Sequence, residues 1–180
     1  IYIRSGQKAN ARTAFQFSAN NSSNRKQQEI SRFNYAKLSY ELGYQDIALN
    51  EMRKFLDLYP TSVYVTEAKE ILVALLANTN NFNDAYALYE SFDKPTPAMQ
   101  KVYPKILFGK ATELINDQKL TQSDELLTKI LNDPNAGKIA PYANFWKGEI
   151  AYRTLKYDDA IRNMTAFLQS GSGTQGEASP

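Results

Sequence analysis

The chain has 180 residues, 43% of them hydrophobic and 12% aromatic, enough for a sizeable core, and 21 Lys and Arg against 19 Asp and Glu leave a net charge of +2. That balance excludes the concentrated positive field needed to hold nucleic acid or an anionic membrane. Cysteine and histidine are absent, which excludes disulfides, thiolate sites, the commonest general base and the commonest transition-metal ligand.

In chain order, residues 1–5 have the pattern of a helix tail whose beginning is expected upstream of Ile1, together with any signal peptide or lipid attachment site. A helix is predicted from about Lys8 to Ala19, broken by Asn20 to Asn24 because Asn and Ser compete with the helix backbone. A pair follows from about Arg25 to Leu42 and Gln45 to Tyr59, hinged at Gly43, with Pro60 as the stop and Thr61 and Ser62 as the next cap. The next pair spans about Val63–Asn78 and Asn83–Phe92. Its run Ile71–Ala77 is far too short to span a bilayer, which needs about 20 residues, and reads as a buried helix.

Asp93 to Met99 is the least regular connection, and Pro104 predicts either a helix start near Lys105 or a kink there. That pair continues to Asp117 and from Thr121 to Asn132; Asp133–Lys138 is a turn, and the last pair covers about Pro141–Thr154 and Tyr157–Gln169. Residues 171–180 have the composition of a flexible tail or linker. Gly171, Gly173 and Gly176 match a G-x-G-x-x-G spacing. They do not follow a strand or open a helix, so a dinucleotide loop is rejected.

A repeat runs through these elements. Small residues stand at Ala11, Ala48, Ala85, Ser123 and Ala160, and a second column, Ala36, Val73, Ala111 and Gly148, keeps the same step of 37 or 38 residues. Four residues after each member of the first column is a bulky apolar side chain: Phe15, Met52, Tyr89, Leu127 and Met164. Small residues allow two helices to approach closely, and the bulky ones fill the space beside them.

These columns, with Gly6 and Gly43 at turns, Phe82 and Tyr157 just after turns, and Pro60 and Pro134 at pair ends, resemble the tetratricopeptide repeat (TPR). The usual repeat is 34 residues, the early Trp and Leu are mostly replaced, and Gly is lost from the later turns. The longer period, with the phrase Phe55 to Ala68, is similar to the TPR arrays of bacterial envelope proteins, such as the periplasmic partner of the Tol-Pal machinery and the lipoprotein arm of the outer-membrane assembly complex. The resemblance implies an all-α fold, a right-handed α-α superhelix of about four and a half helical hairpins over residues 1–170. Its units would be a partial repeat 1–24 and repeats at about 25–60, 61–95, 96–134 and 135–170, with 171–180 a flexible tail or a linker to a further repeat.

It also implies a non-enzymatic protein–protein interaction scaffold of the cell envelope, periplasmic or outer-membrane-associated, that takes an extended peptide or an amphipathic helix in a concave groove. The alternative is a sensor or regulatory arm of a larger signalling protein with an output domain elsewhere. Carried onto this chain, the groove positions are Phe33, Lys37 and Tyr40, then Glu67, Glu70 and Ala74, then Phe108, Thr112 and Ile115, then Phe145, Glu149 and Tyr152. The family's Lys/Asn carboxylate clamp is not reproduced. Glu149 beside Trp146 and Tyr152 raises an acid-catalyst reading, outweighed by an expected pair with Arg153 four residues on and by the lack of a second convergent acid. No spacing resembles a metal site, and no cofactor is expected. Asn20, Asn21 and Asn163 begin Asn-x-Ser/Thr triplets, but nothing else suggests a glycosylated context.

Overall fold

A computed structural model describes residues 6–171 and shows nine α-helices and a single 3-10 turn, with no strand among the described residues. The helices are α1 (Lys8–Asn21), α2 (Arg25–Glu41), α3 (Gln45–Leu58), α4 (Val65–Asn78), α5 (Phe82–Glu90), α6 (Pro97–Asn116), α7 (Leu120–Leu131), α8 (Ala140–Arg153) and α9 (Tyr157–Gln169). The chain divides into two compact units between Met99 and Gln100. Within the first, α1 to α5 pack in order, each on the next, and α2 also touches α4; within the second, α8 packs on both α7 and α9. The linker expected over 171–180 lies almost wholly outside the described residues, as do Gly173 and Gly176.

The repeat is written in the backbone as well as in the side chains. Gly6, Gly43, Asn80, Gln118 and Leu155, spaced 37, 37, 38 and 37 apart, all adopt left-handed φ between 58° and 82°. The residues after them, Gln7, Tyr44, Asn81, Lys119 and Lys156, share ψ between 58° and 68° and open α1, α3, α5, α7 and α9. Four of these turns carry the same closing bond: the amides of Tyr44, Asn81, Lys119 and Lys156 donate to the carbonyls of Ser39, Leu76, Leu114 and Ala151, each at 2.8 Å. This is the Schellman arrangement, which satisfies carbonyls left open at a helix end and favours Gly at the left-handed position. Glycine's loss from the later turns therefore leaves the turn itself unchanged, with Asn, Gln and Leu holding its conformation.

Both small columns are buried along their whole length. Ser123 Oγ donates to the Ala111 carbonyl at 2.9 Å, joining the two columns where α6 meets α7. A Cβ added to Gly148 would lie 2.9 Å from Met164 Cγ, so α8 and α9 approach as closely as they do because that side chain is missing. Met52, Tyr89 and Leu127 are buried, whereas Phe15 and Met164 are half-buried.

Two boundaries differ from expectation. α6 begins at Pro97 instead of near Lys105, capped by the Thr96 hydroxyl, which accepts from the Met99 amide at 3.4 Å. Proline suits the first helical position, and Pro104 is accommodated inside the helix, fully buried. The residue that precedes α4 is Tyr64, not Ser62, although Ser62 Oγ accepts from the Tyr64 amide at 3.2 Å in the turn before it. Pro141 falls in the first turn of α8 as expected.

Candidate interaction surface

In the first unit, α2 and α4 lie side by side and an ion pair joins them, Lys37 Nζ to Glu67 Oε1 at 2.6 Å, with both side chains partly exposed. Tyr40 and Glu70, each three residues further along its helix, share that side and are half-buried. Ala74 is half-buried on α4. Phe33 is placed differently: its ring is buried, stacked on Tyr64 at 4.6 Å and tilted against Phe55 at 5.4 Å. That ring is core, and the surface on this side consists of Lys37, Tyr40, Glu67 and Glu70.

In the second unit, Phe108 and Ile115 are buried, and Phe108 meets Tyr142 edge-on at 6.5 Å. Thr112 turns its hydroxyl back to the Gly109 carbonyl at 2.7 Å. Phe145 is half-buried against Trp146 and Phe167, with centroids 5.4 and 5.3 Å away. Glu149 makes the expected pair with Arg153, Oε1 to Nε at 2.9 Å, a partly exposed contact along α8. Tyr152 is 61% exposed and meets Tyr157 at 6.1 Å. Thr112, Phe145, Glu149 and Tyr152 are thus the reachable members on this unit.

Sequence reasoning passed over three features. Arg32 is buried between α1, α2 and α3: Nη1 pairs with Glu51 at 2.6 Å, Nη2 bonds the Ala19 carbonyl and Asn20 at 3.4 Å, and Nε is buried with no hydrogen-bond partner. Arg12 lies over the Tyr35 and Tyr44 rings, 5.1 and 4.2 Å from their centroids, and donates to Ser39 Oγ at 2.8 Å. A cleft of about 360 Å³ opens between α7, α8 and α9, lined by Asp124, Lys147, Lys156, Asp159 and Arg162 among others. Its charges are largely matched internally, Lys147 with Asp124 at 2.6 Å and Arg162 with Asp159 at 3.0 Å. The register could have revealed the first, because positions 32 and 51 flank the contact between the small columns.

No group of three or more acidic side chains among the described residues could hold a metal ion, and no described helix is long and apolar enough to cross a membrane. Comparison with protein-family models, with curated proteins and with solved structures returns no match.

Proposed function

We propose that this chain is a non-enzymatic scaffold for protein–protein interaction, a right-handed solenoid of the TPR type, belonging to a periplasmic or outer-membrane-associated assembly of the bacterial envelope. The compartment rests on the resemblance in sequence. The recurrence of one Schellman turn and of buried small residues at a step of 37 or 38 supports the repeat reading. The observation that carries the interaction reading is the pairing of α2 with α4 through Lys37 and Glu67, which sets the first helices of two hairpins beside each other and leaves Tyr40 and Glu70 on a common, partly exposed side. Such a mixed surface suits an extended peptide or an amphipathic helix of a protein partner.

Truncating an aromatic anchor in an interface costs about 2 kcal/mol, or about 30-fold in affinity. The protein immobilised on resin is expected to retain a polypeptide from a bacterial envelope extract. The Tyr40→Ala, Glu70→Lys protein is expected to lose it while keeping its helical circular dichroism. Equal retention by the two proteins would overturn the assignment of this surface.

A further inference from the structure

The cleft between α7, α8 and α9 occupies a place in the register that the first unit fills with its own side chains. Its lining includes Asp124, Lys147 and Lys156. Counted from the small columns, the same positions in α1, α2 and at the start of α3 are Arg12, Tyr35 and Tyr44, and there the guanidinium lies over both rings, 5.1 and 4.2 Å from their centroids. In α3 and α4 the first two of these positions are Leu49, half-buried, and Leu72, buried. In the second unit an acid and two lysines stand in their stead, and about 360 Å³ is left open, within the roughly 300–1,000 Å³ of small-molecule sites. Lys147 is drawn onto α7, its Nζ donating to Asp124 and Thr128 at 2.6 and 2.7 Å, so it does not fill the space as a ring or a leucine would.

We propose that this cleft binds a small organic carboxylate, with Lys156 Nζ donating to the carboxylate and the hydrocarbon body of the ligand lying against Ile150 and Ala151. The charges select the ligand. Asp124 is paired with Lys147 and Asp159 with Arg162, whereas Lys156 lines the same cleft and makes no ion pair among the described residues. One positive charge is therefore left for the ligand to meet, which suits a monoanion. A more highly charged phosphate would face the two carboxylates with only that one charge to balance it. Ile150 and Ala151, both buried in α8, give the lining an apolar portion that a bare anion would leave uncovered and an organic one covers. The cleft is built wholly from the second unit, and the inference does not rest on the scaffold reading.

Benzoate, benzamide and inorganic phosphate test it, each titrated into the isotope-labelled whole protein and followed by backbone amide shifts. Benzoate is expected to move the amides of Ile150, Ala151 and Lys156 and to bind with a Kd of about 10 mM or below. Benzamide, which keeps the ring without the charge, and phosphate, which keeps a charge without the ring, are expected to bind at least tenfold more weakly. Lys156→Gln, at an exposed position, is expected to weaken benzoate at least tenfold and to leave the remaining amides in place. Asp124→Leu with Lys147→Leu, which writes Leu49 and Leu72 of the first unit into the second, is expected to fill the cleft and abolish binding. Equal binding of benzoate and benzamide, phosphate binding as tight as benzoate, no saturable shift, or benzoate binding unmoved by Lys156→Gln or by the two leucines would overturn the proposal.

Discussion

Met52 and Phe55 on α3 hold the same register positions as Met164 and Phe167 on α9, yet the first pair is sealed from solvent and the second is half-buried. The side chains are alike, both helices follow a left-handed residue, Gly43 at φ 82° and Leu155 at φ 61°, and small residues mark both helix contacts. What differs is the element laid over each: α3 packs on α2 and on α4, with the Phe33 ring of α2 against Phe55, while α9 packs on α8 and keeps Tyr157, Ile161 and Leu168 exposed. In a repeat of this kind burial is decided by the neighbour as much as by the residue.

The largest test of that contrast is truncation of the two phenylalanines. Phe55→Ala is expected to cost about 4 kcal/mol and Phe167→Ala about half as much, read from guanidinium unfolding by circular dichroism. Equal losses would remove the distinction between the hairpins. Next in size is the register position that α2–α3 fills with the Arg32–Glu51 pair, which α6–α7 fills with Leu107 and Leu126 and α8–α9 with Asn144 and Asn163. Arg32→Leu alone strands the Glu51 carboxylate and is expected to cost about 3 kcal/mol, whereas Arg32→Leu with Glu51→Leu is expected to be near neutral. The unpartnered Nε of Arg32 already weakens the native arrangement.

Smaller effects come from the turns. Gly43→Ala is expected to lose about 1 kcal/mol and Leu155→Gly to gain about 1 kcal/mol, since both sites hold left-handed φ and only one has the residue suited to it. Opposite signs in thermal denaturation check the shared turn directly. The smallest change is expected at the exposed helix pair: Arg153→Ala should move stability by under about 0.5 kcal/mol.

Much of the helical order could be read from the chain because it repeats. Alanine columns and turn spacing set the hairpins, and most helix ends fell within two residues of expectation. α6 escaped because proline is a poor guide to a boundary when one proline can start a helix and another sit buried inside it. The left-handed turns at Asn80, Gln118 and Leu155 were hidden because their conformation is imposed by the hairpin, without the glycine that would announce it. Candidate surface residues were legible in direction but not in depth. Phe33 and Tyr40 lie seven residues apart on one side of α2, and Phe33 is buried because Tyr64, a residue of the following repeat, stacks on it. Helical period gives the side a residue faces; only the neighbouring repeat decides whether that side meets water.

Leucine scanning of the small columns tests the central claim most directly. Ala36, Ala48, Ala85 and Ala111 are all fully buried where helices pack, so leucine at each is expected to cost about 2 kcal/mol or more by overpacking, while leucine at the exposed Asn50 and Lys101 is expected to be close to neutral. Tolerance of leucine at the four alanines, matching that at the two surface sites, would contradict the packing register on which the hairpins are built.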